Sequence, residues 1–438
     1  MNSAVARALY HALQLWRGEP VLAAMRDLRE SRAWPREKLF MMQWERQKAL
    51  YRHAFTTVPH YRDSWTKLGL TSASMTSREA WSRLPVLEKA DLHQKSADLK
   101  SSRRYGGLAS STSGSSGTPV AVFRSHKSWA YHHANIFRGW EWFGIQVGDP
   151  YAYLWGLALD SEGKRQAWMK DGVFNRRRCS AFSLDRDRAV AFFHELRAHP
   201  VEFLYGYPSA VAQFAEELAA AGLDGRELRV KAAVTTAEVL KEHQRARIGE
   251  VFGCPVVNSY GCAEVGIVGI ECEQGRLHIP IESVVVETLP GSDGYDEVLL
   301  TDLMNEAQPV IRYRIGDLVK REEDTCPCGR GLPVLGQILG RAGDTLELPD
   351  GRKINANLPS YIFKKHGKAG TVREYQFVQF RDGTIELRII RGPAWTNNLV
   401  HEIGVEAREV LGVDVAVSPV DRIERVGRGK HRDFVRAE

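Results

Sequence analysis

The chain has 438 residues, of which 43% are hydrophobic and 26% charged, a composition typical of soluble globular proteins. A net charge of +6 suits anionic ligands, but no basic run is long enough to indicate a nucleic-acid partner. The sequence contains neither an 18-residue apolar stretch nor a cleavable leader, which predicts a cytoplasmic protein without membrane insertion.

Hydrophobic periodicity predicts how the chain is organised. Apolar residues at i, i+3 and i+4 predict helices at 5–16, 36–53 and 77–96. Between residues 120 and 320, short apolar runs alternate with helical segments such as 186–198, which predicts α/β units around a partly parallel sheet.

Strand and turn signals become frequent after residue 340, around a helix predicted at 397–411. We therefore predict the α/β class, with a large N-terminal α/β domain (1–340) that contains mixed sheets. A small, mobile C-terminal α+β domain (341–438) follows it.

The stretch 110–119 (SSTSGSSGTP) has the composition of an anion-binding loop. Its glycines let the main chain approach a ligand closely, and successive N–H groups in such a turn can bind phosphate oxygens. It differs from the G-x-x-x-x-G-K-[ST] loop, because no lysine follows its second glycine. A flexible Gly/Ser linker is the alternative.

Two further stretches place polar side chains at predicted strand ends. In 258–264 (NSYGCAE), Glu264 can hold Mg²⁺ and Tyr260 can offer a flat face to a base, although an ordinary strand-to-loop junction has the same pattern. In 312–318 (RYRIGDL), Asp317 can accept ribose hydroxyls. The alternative for Asp317 is a surface ion pair with Arg314.

Three thiols and one imidazole form a candidate metal site. Cys272 and His278 are followed by Cys326 and Cys328, a closed ligand set for structural Zn²⁺ in tetrahedral geometry. Reduced buried cysteines beside an exposed histidine are the alternative.

Six motifs in order resemble those of the adenylate-forming enzymes: SSTSGSSGTP, TTAE (235–238), SYGCAE (259–264), RYRIGDL, GRAGD (340–344) and a terminal Gly429-Lys430. GYPS (206–209), IECE (270–273) and CPCGR (326–330) are similar to the phenylacetate–coenzyme A ligase branch and its capsule-biosynthesis relatives. The resemblance covers residues 35 to 438. It implies activation of a carboxylic acid by ATP to acyl-AMP, then transfer to coenzyme A, or alternatively to an amine or a carrier-protein thiol.

The resemblance also implies roles for individual residues. Glu264 is expected to hold Mg²⁺, and Arg341 and Lys430 to contact the reacting phosphate and carboxylate. The expected ATP-binding residues are Ser113, Gly114, Ser115, Ser116, Gly117, Thr118, Thr236, Ala237, Glu238, Ser259, Tyr260, Gly261, Asp317 and Arg341. Two positions depart from the family pattern, because Thr118 replaces a frequent lysine and Gly343 replaces the first of two paired aspartates in the hinge motif.

The acyl group is expected among aromatic and small side chains near the strand ends: Trp155, Tyr207, Pro208, Thr235 and Tyr260. These residues favour an aromatic or apolar acid, although aromatic side chains of this kind also serve as core. The expected partners are therefore a small carboxylic acid and coenzyme A, and a homodimer is compatible with the sequence.

Overall fold

A computed structural model defines the fold, and most of the chain is described by it. The described residues are 1–111, 121–155, 169–181, 184–291, 295–320, 322, 325–341, 345–348, 353–355, 362, 371–392, 394–423 and 431–437. The predicted phosphate loop (Ser113, Gly114, Ser115, Ser116, Gly117 and Thr118), the hinge residue Gly343 and Lys430 lie outside them.

Helices and strands alternate through the middle of the chain. The α-helices that lie wholly within the described residues are α1 (Ser3–Trp16), α2 (Val21–Glu30), α3 (Arg36–Thr57), α4 (Pro59–Lys67), α5 (Arg78–Ser82), α6 (Lys89–Gln94), α7 (His126–Glu141), α8 (Arg186–Ala198), α9 (Pro208–Ala220), α10 (Glu242–Phe252) and α11 (Asn398–Leu411). The strands are β1 (Gly107–Ser111), β2 (Ala121–Ser125), β3 (Tyr151–Trp155), β4 (Arg176–Ser180), β5 (Phe203–Gly206), β6 (Ala232–Thr236), β7 (Val256–Cys262), β8 (Gly266–Glu271), β9 (Leu277–His278), β10 (Val284–Pro290), β11 (Tyr295–Asp302), β12 (Tyr313–Lys320), β13 (Val334–Leu335), β14 (Gln337–Arg341), β15 (Thr345–Glu347), β16 (Lys353–Asn355), β17 (Val372–Gln379), β18 (Ile385–Arg391), β19 (Ala416–Val420) and β20 (Phe434–Arg436).

An eight-stranded sheet in the order β13-β9-β8-β7-β6-β5-β3-β4 forms the centre of the molecule. Strands β7, β6, β5, β3 and β4 run parallel, and β8, β9 and β13 extend the sheet by antiparallel pairing. Helices α8, α9 and α10 bury apolar side chains such as Phe193 and Phe214 against one face. Trp140 of α7 packs against Phe203 on the other. The predicted partly parallel α/β sheet is confirmed.

A second sheet, β10-β11-β12-β14, is antiparallel and carries the RYRIGDL stretch on β12. Strands β10 and β11 pair as a hairpin in the register Val286↔Leu300.

The single helix predicted at 77–96 is wrong, because α5 and α6 are separate. Pro85 interrupts the segment, and the N–H of Leu87 donates to Arg312 O at 3.0 Å instead of continuing a helix.

The C-terminal sheet, β19-β18-β17-β20, is built from residues after 371 and has its own apolar cluster. That cluster includes Phe377, Leu387 and Ile403 of α11. The α/β class with a small C-terminal α+β unit is therefore confirmed, whereas a domain boundary at 340 and the mobility of that unit remain predictions. In the described part of the chain, no helix combines the length and hydropathy needed to cross a membrane.

Candidate functional site

The ends of β6 and β7 position the first group of predicted site residues. These parallel strands pair Thr236 with Ser259, and the Thr236 hydroxyl donates to Ser259 O at 2.7 Å. Ala237, directly after β6, has a φ of 71°, which is uncommon for a residue other than glycine. The main chain therefore turns sharply where β6 ends, at the edge where parallel α/β sheets bind ligands.

Tyr260 and Asp317 meet at this edge from two different sheets. The Tyr260 hydroxyl donates to Asp317 Oδ2 at 2.6 Å, and Asp317 is only 7% exposed. Arg341 lies opposite Asp317 in the pairing of β12 with β14. The alternative for Asp317, an ion pair with Arg314, gains no support, because Arg314 contacts Glu88 and Glu297.

Glu264 lies in the turn between β7 and β8 and is 5% exposed. Its Oε1 accepts a hydrogen bond from the Tyr313 hydroxyl at 3.1 Å. Gly261 is required next to this turn, because a Cβ there would lie 2.4 Å from Gly266 O. A carboxylate held by one phenol retains oxygen lone pairs for a cation, so the geometry suits a Mg²⁺ ligand.

A buried arginine, Arg124, stabilises the turn that contains Glu264. Arg124 Nη2 donates to Val265 O at 2.9 Å, and its Nε lies 3.9 Å from Asp302. Burial lowers the pKa of Arg124, and the nearby Asp302 carboxylate opposes that effect. Sequence reasoning missed Arg124, because an arginine in a short strand gives no local signal of burial.

Glu238 joins two parts of the chain that are far apart in sequence. Its Oε2 accepts the N–H of Ser209, at the start of α9, at 3.2 Å. Its Oε1 accepts the N–H of His431, the residue after Lys430, at 2.9 Å. This carboxylate therefore connects the strand edge with the C-terminal sheet.

Aromatic side chains pack against one another near the carboxyl ends of strands β3 and β5 in the central sheet. Trp155 packs against Tyr207 with ring centroids 4.2 Å apart and stacks on Tyr153 at 5.3 Å. Tyr205, also stacked on Tyr153, lines an apolar cavity of about 120 Å³ that extends toward Tyr151 and Arg176, the first residues of β3 and β4. Three of the expected acyl-site residues, Tyr207, Pro208 and Thr235, are buried.

The four predicted zinc ligands converge at the far end of β8. Their ligand atoms all lie within 4.8 Å of one another. Cys272 Sγ is 3.6 Å from Cys326 Sγ, and Cys328 Sγ is 3.2 Å from His278 Nε2. Two sulfur ligands at 2.3 Å from a tetrahedral zinc lie about 3.8 Å apart, so the spacing fits that ion. His278 Nδ1 is 3.1 Å from Leu332 O, which leaves Nε2 facing the thiols.

A family model described as AMP-binding enzyme matches residues 111–289 of the chain. A phenylacetate–coenzyme A ligase from Thermus thermophilus is 28% identical over 367 residues, with 80% of each chain covered. The corresponding ligase of Aromatoleum evansii is 25% identical and covers 93% of this chain and 97% of its own. Protein CapK of Staphylococcus aureus is 23% identical, covering 86% of this chain and 84% of its own.

Solved structures show the same fold. A 2-hydroxyisobutyryl-CoA ligase in its postadenylation state covers 93% of this chain and 91% of its own, at 21% identity and a TM-score of 0.75. The same ligase in its thioesterification state covers 92% and 91%, at 21% identity and a TM-score of 0.59.

Proposed function

We propose that this chain, which belongs to the adenylate-forming enzyme superfamily, is an ATP-dependent acid–thiol ligase. It joins a carboxylic acid to AMP with release of pyrophosphate, and then transfers the acyl group to the thiol of coenzyme A. The observation that carries the proposal is the approach of β12 to the carboxyl end of the parallel strands, where Tyr260 bonds Asp317 and Glu264 bonds Tyr313.

In the first step a carboxylate oxygen attacks the α-phosphorus, and the bond from that phosphorus to the departing pyrophosphate breaks. Asp317 is proposed to bind the ribose hydroxyls and Tyr260 to stack on adenine, while their mutual hydrogen bond fixes both side chains. Glu264 would hold Mg²⁺, whose charge stabilises the phosphate oxygens when it is bound. Lys430 and Arg341 would add positive charge where negative charge develops.

In the second step the coenzyme A thiolate attacks the acyl carbon of acyl-AMP, and AMP leaves with the bonding electrons. No enzyme nucleophile is needed in either step. The side chains therefore act by binding, orientation and charge stabilisation.

The acid is proposed to be aromatic or apolar. The stacked rings of Trp155 and Tyr205 support this substrate class. An apolar pocket discriminates weakly, with about 1–3 kcal/mol for each methylene group, so several related acids should be accepted.

Pyrophosphate exchange into ATP, measured with an acid panel, tests the function. Aryl acids are expected to support exchange better than fatty acids or amino acids, and exchange should be absent without an acid. Coenzyme A should then yield the thioester. A product formed only with amines or a carrier protein would show that the acceptor is not coenzyme A, and absence of exchange with every acid would refute the proposal.

A structural zinc ion is proposed at Cys272, His278, Cys326 and Cys328. The convergence of four ligand atoms supports this site, because three cysteine sulfurs and one histidine nitrogen form a complete tetrahedral ligand set for structural Zn²⁺. Protein purified without added metal is expected to contain about one zinc per chain, measured by elemental analysis. Metal-free protein with a normal melting temperature would contradict the assignment.

A further inference from the structure

An ion pair joins the central part of the molecule to the C-terminal sheet. Lys241 Nζ, at the start of α10, lies 2.5 Å from Asp433 Oδ1, one residue before β20. The two side chains are only 12% and 22% exposed. The Lys241 ammonium also lies 3.8 Å from the centroid of the Tyr375 ring on β17. The Lys241–Asp433 ion pair is therefore largely shielded from water.

His431 extends this contact toward the strand edge. Its ring Nε2 is 3.0 Å from Asp433 Oδ1, and its Nδ1 is 3.7 Å from Glu374 on β17. Its N–H donates to Glu238, which also accepts from the start of α9. We name Glu238, Lys241, Tyr375, His431 and Asp433 the clamp.

The charges of the clamp stabilise one another. Burial by itself would raise the pKa of Asp433, but the Lys241 ammonium and His431 lower it below its ordinary value. Burial would lower the pKa of Lys241, and Asp433 more than compensates by raising it. Both groups are thus ionised and paired while the C-terminal sheet is docked. When the sheet moves away, water can solvate each charge, so a polar contact of this kind can open and close.

We propose that the clamp holds the C-terminal sheet, with the residues that follow Lys430, against the strand edge, and that adenylation depends on this ion pair whereas thioester formation does not. Lys241 and Asp433 are then positioning residues. The inference rests on the proposed two-step function. The fold described here is more similar to the postadenylation state of the 2-hydroxyisobutyryl-CoA ligase, at a TM-score of 0.75, than to its thioesterification state, at 0.59.

Variants that remove one charge of the Lys241–Asp433 ion pair test the clamp. Lys241→Met, Asp433→Asn and the double variant are compared with Lys231→Met. Lys231 provides the matched control, because it pairs with Glu202 at 2.8 Å within the central part of the molecule and both side chains are about 40% exposed. The two half-reactions are measured separately, with phenylacetate for pyrophosphate exchange and phenylacetyl-AMP for thioester formation. Hydrogen exchange of residues 238–246 is followed by mass spectrometry on the protein alone, and melting temperatures verify folding.

Each single variant is expected to slow adenylation about tenfold, because one buried charge loses its partner. Thioester formation should be unchanged or faster, and hydrogen exchange at 238–246 should increase. The double variant should be no slower than the worse single variant, since both changes remove one interaction. The control should match the wild type in every assay.

Equal losses in both half-reactions, or unchanged hydrogen exchange in Lys241→Met, would overturn the proposal. A wild-type chain without pyrophosphate exchange would instead refute the proposed function. The hydrogen-exchange result would then still decide whether the clamp holds the C-terminal sheet in place.

Discussion

The strand-end site (Thr236, Tyr260, Glu264 and Asp317) and the zinc cluster (Cys272, His278, Cys326 and Cys328) lie at opposite ends of one strand. Strand β8 begins two residues after Glu264 and ends one residue before Cys272. Its residues span roughly 20 Å at about 3.3 Å each. The metal cluster is thus too far from the strand edge to take part in the proposed chemistry.

The two regions are also built differently. The strand-end site assembles side chains from three strands of two sheets, and protein hydrogen bonds already hold them. The zinc cluster ties β9 to the segment before β13, where pairing is only two residues long on each strand. Substitutions in the strand-end site should therefore change the rate of adenylation, and substitutions in the zinc cluster should change the melting temperature. Single substitutions in each region can test that division.

Lys430→Ala is expected to reduce adenylation by about two orders of magnitude or more, because it removes positive charge proposed to act on the developing phosphate charge. Thioester formation from synthetic acyl-AMP should remain largely intact. Separate assays of the two half-reactions check this, with Lys320→Ala as a surface control. Equal losses in both half-reactions would contradict the assigned role.

Glu264→Gln is expected to slow adenylation about a hundredfold, since the amide keeps the shape but loses the charge that attracts Mg²⁺. The melting temperature should change little. The apparent affinity for Mg²⁺, obtained by titrating the exchange rate, should fall in parallel. Tyr313→Phe, which removes only the hydrogen bond to Glu264, should have a smaller effect, and the reverse order would argue against Glu264 as the ligand.

Cys326→Ser is expected to lose the bound zinc and to lower the melting temperature by about 5 °C or more. Adenylation per folded molecule should stay within about twofold of the wild type at 25 °C, because a folded strand edge keeps its geometry. Cys254→Ser, a cysteine outside the cluster, is the control. A large loss of adenylation rate in Cys326→Ser without a lower melting temperature would contradict a purely structural role for the zinc cluster.

Tyr260→Phe is expected to raise the KM for ATP about threefold, because the change removes one hydrogen bond to Asp317 and keeps the ring. Asp317→Asn should raise it about tenfold, since it also weakens ribose binding. Steady-state kinetics with ATP as the varied substrate measures both. If Tyr260→Phe had the larger effect, the roles assigned to the two side chains would be wrong.

Sequence patterns predicted those features that depend on neighbouring residues. The periodicity at 186–198 predicted α8 with the bounds that it has, and the short apolar runs between residues 120 and 320 predicted a partly parallel sheet. Motif order indicated the resemblance to adenylate-forming enzymes, and one of these motifs contains Gly261, where a Cβ would clash with Gly266 O. The four proposed zinc ligands could be selected from the sequence, because thiol and imidazole groups indicate metal binding by residue type, and their ligand atoms do converge.

Tertiary structure decided which distant groups meet. Tyr260 bonds Asp317 from another sheet, Arg124 supports the Glu264 turn, and Glu238 reaches the backbone of His431. These contacts depend on strand register and on docking of the C-terminal sheet, which involve residues from 57 to 193 positions apart. The single hydrogen bonds involved leave no periodic trace in the sequence. Local propensity specified the elements of this protein, and long-range packing specified its site.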